Sequence, residues 1–245
     1  MLETRALEIW DAVDAADYDW PVSDKALKRL GELLQKPVVV EEGESSDALN
    51  RRLRSTVSAA LRTRGASTAD LYEWIVCNWG GVWAGRQEVR DWAELDWLGA
   101  TPENGGSPAE KMMQFANQSG AKRISSWSKI FAHAEPDQHA IYDSRVAVAL
   151  NIALHRIGEG ARFHMPESKV YRPKEGPPRP NAVARARKAF GRHASFGYPD
   201  YLVWARAVQT QLAANGRERP DLLAIESRLF SAAPPMADQY LRSLT

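Results

Sequence analysis

Residues 107–154 read SPAEKMMQFANQSGAKRISSWSKIFAHAEPDQHAIYDSRVAVALNIAL, and the punctuation of this stretch decides the fold. Ser107-Pro108-Ala109-Glu110 is a capping box with proline at the first helical position, where its missing N–H costs nothing. A short helix is therefore predicted from Pro108, carrying Met112, Met113 and Phe115 and stopping near Asn117, ahead of Gln118, Ser119 and Gly120. From Lys122 the apolar pattern resumes, and Ile124, Trp127, Ile130, Phe131 and Ala134 share one helical face. Pro136 ends that helix. Asp143 then precedes a run over 146–154 that is apolar on almost every side, which predicts a capped helix passing through the centre of the fold.

Working outward, nearly every periodic segment reads as helix. Toward the N-terminus the predicted spans are 3–16, 24–35, 46–63, 68–79 and 87–95, with breaks at Pro21, Pro37, Gly43 and Gly65. Only LLQKPVVVEE at 33–42 has a β-branched run that suggests a strand. Toward the C-terminus, NAVARARKAFGR at 181–192 has Asn181 as its N-cap. Tyr201, Ala205, Val208 and Leu212 form a face that ends at Gly216, and DLLAIESRLFSAA at 221–233 follows Pro220. The expected class is all-α. No fixed-period repeat and no low-complexity segment appears.

The 245 residues include 44% apolar and 26% charged side chains, the profile of an ordinary globular chain. Cys77 stands alone, which excludes a disulfide framework and an all-cysteine metal site and makes the reducing cytoplasm the expected compartment. No apolar run approaches the ~20 residues of a membrane span, and the acidic, amphipathic start is unlike a signal peptide, so no membrane partner is expected. The net charge of +1 conceals an uneven distribution: residues 1–100 hold 12 basic and 18 acidic side chains. Between 169 and 192, Lys169, Arg172, Lys174, Arg179, Arg185, Arg187, Lys188 and Arg192 are opposed only by Glu175. That strip is either a solvated loop and helix or a phosphate-contacting surface.

Gly120-Ala121-Lys122 opens one helix and Asp143 opens the next, 21 residues later. A glycine hairpin at a helix N-terminus suits a phosphate, because unpaired N–H groups and the helix dipole both favour an anion there. Lys122, beside Arg123 and the positive helix end, is placed to act as a neutral amine that attacks a sugar C1′. Asp143 would take up the proton or stabilise the cationic sugar as a glycosidic bond breaks.

NQSGAKRISSWSKIFAHAEPDQHAIYDSRVAVALN at 117–151 resembles the core of the helix–hairpin–helix DNA glycosylases, most closely the 8-oxoguanine DNA glycosylase-like branch. In that family the hairpin ends in a catalytic lysine, and an aspartate about twenty residues on opens the following helix. Lys122 matches the lysine, Gly120 the second hairpin glycine and Asp143 the aspartate. Gln118 stands in place of the first hairpin glycine, and Arg145 where many relatives have histidine. The resemblance implies a two-lobed helical fold: a first lobe at about 1–105, the hairpin and catalytic lobe at about 106–215, and a C-terminal helix over 216–245. It implies base flipping, N-glycosidic cleavage of a modified base in double-stranded DNA, and strand cleavage by β-elimination where a Schiff base forms. An oxidised purine is the favoured substrate, with another modified base, including one in foreign DNA, left open. Ser126 falls at a pocket-lining position; Ser119, Gly120, Arg123, Arg145, Lys169, Arg172, Arg185 and Lys188 are the expected DNA contacts. The single cysteine excludes the iron–sulfur branch, no cofactor is implied, and such enzymes generally act as monomers.

Each feature also has a plainer reading. Lys122 alone is a solvated first-turn residue, and Asp143 alone is an N-cap. Trp74, Trp79, Trp83, Trp92 and Trp97 suit stacking on a flipped base, yet aromatics at helical spacing are usually core, and Trp127 lies on an apolar face. His133 and His139 match no zinc spacing, so no metal is expected. Gly80, Gly81 and Gly85 lack a following Gly-Lys-Ser/Thr, which rejects a phosphate-binding loop of that type. The competing functions are a non-catalytic helix–hairpin–helix module that binds DNA and a helical scaffold that does not.

Overall fold

A computed structural model of the chain describes residues 1–63, 66–95, 106–118, 123–166, 181–191 and 193–244. Among these residues the regular structure is helical: α1 (Ala6–Asp11), α2 (Asp24–Leu34), α3 (Ser46–Thr63), α4 (Thr68–Glu73), α5 (Arg86–Asp91), α6 (Pro108–Gln118), α7 (Ile124–Ala134), α8 (Ser144–Arg156), α9 (Ala182–Phe190), α10 (Tyr198–Ala214) and α11 (Leu222–Ser243). No strand forms among them, and the only bridge described joins Phe163 to Phe196. The chain is all-α.

The expected strand at 33–42 is the first correction. Leu33 and Leu34 close α2, Gln35 turns left-handed at φ 52°, and the valines beyond run without a partner strand. Pro37 contributes no N–H, and Val39 O is taken by the Arg52 guanidinium, so no ladder starts there.

Two compact units form and interleave along the chain. Unit 1 comprises Met1–Tyr18, Gly120–Ser125 and Ile141–Thr245; unit 2 comprises Asp19–Ser119 and Ser126–Ala140. In unit 1 the apolar α8 is the core helix, with every residue over 146–154 buried, and α11 and α9 pack along it. Asn151, fully buried on α8, exchanges two hydrogen bonds with Phe163, donating to its carbonyl at 3.0 Å and accepting from its N–H at 2.7 Å. α1 is shorter than the predicted 3–16. Arg156 and Arg228 donate to the carbonyls of Ala12 and Val13, satisfying the helix end in place of a further turn. α11 is longer than predicted and continues through Pro234-Pro235 to Ser243, with Ala232, Ala233, Met236 and Ala237 buried across the proline pair. Burial of that face outweighs the N–H groups the prolines lack.

In unit 2 the expected helix at 68–79 is α only as far as Glu73 and then winds as a π-helix over Trp74–Trp79. Trp74 is fully buried and donates its Nε1–H to Ala26 O at 2.7 Å. Trp79 donates to Asn50 Oδ1 at 2.8 Å, and Trp92 stacks on Trp127 with ring centroids 3.4 Å apart. These tryptophans are therefore core rather than base-stacking groups. Trp83 is 51% exposed, and Trp97 lies outside the described residues. Cys77 is buried in the same π-helix.

His133 is the buried titratable group of this core. Its Nδ1 meets Lys129 O at 2.8 Å, its ring packs edge-on to Trp79, and burial, with the Arg54 charge second, pushes its pKa from 6.5 down to about 3. The imidazole is therefore neutral in the fold, donating Nδ1–H to the carbonyl. A base with a depressed folded pKa loses its contribution as pH falls, because the unfolded chain takes up the proton first. Stability should decline by as much as ~1.4 kcal/mol per pH unit between the unfolded and folded pKa values of His133. His133→Gln should flatten that slope in denaturation curves collected across this window.

Candidate functional site

The sequence landmarks around the candidate site form as expected on either side of residues 119–122. Ser107 N–H donates to Glu110 Oε2 at 2.6 Å and Glu110 N–H to Ser107 Oγ at 3.3 Å, the reciprocal pair of a capping box that starts α6. All five residues of the predicted α7 face, Ile124, Trp127, Ile130, Phe131 and Ala134, are buried. Arg123, exposed and left-handed at φ 55°, turns the chain into α7. Ser119, Gly120 and Lys122 lie outside the described residues, as do Lys169 and Arg172.

Asp143 is the N-cap of α8. Its Oδ1 alone accepts both bonds, from Arg145 N–H at 2.9 Å and Val146 N–H at 3.2 Å. Oδ2 receives no hydrogen bond among the described residues, so capping leaves half of the carboxylate available, and the side chain is only half-buried. The turn that delivers Asp143 is pinned twice. The buried Glu226 carboxylate on α11 accepts from Ile141 N–H at 2.7 Å, and the Tyr142 hydroxyl donates to His164 O. Burial, with the nearby Asp200 second, pushes the Tyr142 phenol well above its ordinary range, so it stays a donor.

Arg145, in the first turn of α8, places its guanidinium 4.2 Å from the centroid of the Phe230 ring, and Tyr18 packs edge-on to that ring at 6.1 Å. A cation on an aromatic face is held in place at little cost in hydration. Unit 1 thus brings Asp143, Arg145, Phe230 and Tyr18 to the start of α8. Ser126 is 5% exposed and belongs to unit 2.

Arg185 and Lys188 are exposed on α9, whose N-cap is Asn181, accepting from Ala184 N–H at 2.8 Å. Arg185 lies 3.3 Å from Asp238, a surface pair of small worth that a phosphate can displace. Glu226, Phe230 and Tyr18 escaped sequence reasoning: they come from opposite ends of the chain, and each reads locally as an ordinary helix or loop residue. Among the described residues, no group of three or more His, Cys, Asp or Glu side chains is placed to hold a metal, and no helix is long and apolar enough to cross a membrane.

Comparison with protein-family models, with curated proteins and with solved structures found no match.

Proposed function

We propose that this chain is a helix–hairpin–helix DNA glycosylase that cleaves the N-glycosidic bond of a flipped, modified base. One observation carries the reading. Among the described residues Asp143 caps the buried α8 through Oδ1 only, which leaves its second carboxylate oxygen without a hydrogen bond there at a rigid helix start, 21 residues after Lys122. Lys122 attacks C1′ of the flipped nucleotide, the base departs with the bonding electrons and a proton, and Asp143 stabilises the positive charge that develops on the sugar. The N–H proton of the lysine adduct then passes to O4′ as the C1′–O4′ bond breaks, opening the sugar to a Schiff base, and loss of a C2′ proton with departure of the 3′ phosphate cleaves the strand. Arg145, braced on Phe230, supports the phosphate backbone, and a monomer acting on double-stranded DNA in the cytoplasm completes the proposal. An oxidised purine is the favoured base.

Trapping is the test. Borohydride reduction of the Schiff base should give a covalent protein–DNA adduct on duplexes bearing the excised base, and Lys122→Gln should abolish it. If Asp143 instead activates water, base is released with no adduct.

That Asp143 also satisfies two amides as a plain cap favours a second reading, a non-catalytic DNA-binding module. DNA affinity without base release on any substrate would establish it.

The basic strip supplies a further expectation. Charge reversal at Arg185 and Lys188 should weaken DNA binding and reduce the slope of log affinity against log salt by about one per lost phosphate contact, measured by fluorescence anisotropy across a salt series.

A further inference from the structure

One helix of unit 1 grips the chain on both sides of Asp143. Glu226 and Phe230 stand four residues apart on α11, so they lie one above the other on the same face. Glu226 accepts from Ile141 N–H at 2.7 Å, two residues before Asp143. Phe230 seats the guanidinium of Arg145, two residues after it, at 4.2 Å. Arg145 in turn donates its backbone N–H to Asp143 Oδ1 at 2.9 Å. The chain enters unit 1 at Ile141, so the Glu226 bond fastens the first residue after the crossing.

Glu226 is 3% exposed. Taking a carboxylate out of water is costly, and an apolar side chain of similar volume in such a place is often as stable or more so. What the carboxylate adds is a charge-assisted bond of fixed geometry to one amide. That amide lies where the backbone needs an outside support. Asp143 is extended at φ −119° and ψ −173°, outside the helix, and α8 engages it only through the bonds that the cap accepts. The aim of its carboxylate therefore depends on the backbone that arrives from Ile141.

We propose that Glu226 is a positioning residue for Asp143, fixing through Ile141 N–H the backbone from which that carboxylate is aimed. It acts through Asp143 and has no chemical step of its own. Its effect on catalysis rests on the proposed glycosylase activity; the placement of Asp143 is a property of the fold and is measured without substrate.

Glu226→Met keeps the length of the side chain and removes the acceptor, whereas Glu226→Gln keeps an acceptor oxygen. Amide hydrogen exchange, read by NMR on the whole chain, reports the cap. In Glu226→Met, exchange at Arg145 and Val146 should quicken at least about tenfold while residues 150–154 keep their wild-type protection, and Glu226→Gln should stay within about threefold of wild type. Single-turnover base release, on a duplex whose base the wild type removes, should fall about 10–100-fold in Glu226→Met with DNA affinity within about twofold. Glu226→Gln should recover the rate to within about fivefold. A residue that only stabilises the core would lower the denaturation midpoint and leave the cap amides and the rate of the folded chain unchanged. Should Glu226→Met fail to fold by circular dichroism, Glu226→Asp, which keeps the charge but draws the oxygens back by one methylene, takes its place with the same expectations. Cap amides that exchange as in the wild type, an undiminished rate, or a loss that Glu226→Gln does not recover would each overturn the proposal. A wild type that releases no base overturns the glycosylase reading instead, and the exchange measurement then decides the positioning alone.

Discussion

Asp143→Asn is expected to leave the folded chain within about 0.5 kcal/mol of wild type while lowering base release by about 10²–10⁴-fold. The two effects separate because the proposed function gives the carboxylate a second job beside the cap, on its other oxygen. Oδ1 accepts from Arg145 and Val146 N–H, and the carbonyl oxygen of asparagine can accept both bonds unchanged. Oδ2 becomes an amide nitrogen, and the negative charge that stabilises a cationic sugar is lost. Asp143→Ala removes the cap as well and should cost about 1 kcal/mol on top of the activity. Chemical denaturation and single-turnover base release, measured on both variants, read the two roles independently. Full activity in Asp143→Asn would reduce Asp143 to a structural cap.

Trp74→Ala should be the most damaging core substitution, at about 3–5 kcal/mol in chemical denaturation. The indole is fully buried, and its loss leaves a large void and removes the indole hydrogen bond to Ala26 O. Trp74→Phe, which fills most of the volume but cannot donate, should recover more than half of the loss. A tryptophan reserved for stacking on DNA would behave in the opposite way: truncation would spare stability and reduce binding. Trp83, half-exposed, is the residue for that contrast.

Much of the fold was legible because its signals are local. Ser107 and Glu110 form the reciprocal cap that their spacing requires, Asn181 caps α9, and the uniformly apolar run after Asp143 becomes the buried α8. Departures arise where tertiary contacts override local preference. The valines after Pro37 have high strand propensity, yet no second strand lies alongside them among the described residues, and a strand exists only in a pair. Pro234-Pro235 would end an isolated helix, but burial of Met236 and Ala237 carries α11 onward. The π-helix at Trp74–Trp79 has no sequence signature, because the WIVCNW run is as compatible with i→i+4 as with i→i+5 bonding. At the candidate site, the role of Asp143 as a cap was legible from one residue. Glu226, which holds the approach to Asp143 through Ile141 N–H, was not, since that contact links residues on two distant helices. Arg145 was recognised as a cation near the site, but its seat on Phe230 emerges only once α8 and α11 pack together.

The claim that Lys122 and Asp143 cleave a glycosidic bond meets its most direct test in a base-release measurement. Duplex oligonucleotides carrying oxidised, alkylated, deaminated and hypermodified bases are incubated with the chain, and free base is quantified. At least one modified base should be released by the wild type, with unmodified duplex left intact, and Lys122→Gln and Asp143→Asn should each abolish or sharply reduce that release. Absence of free base across the whole panel, or release that both variants retain, would contradict it.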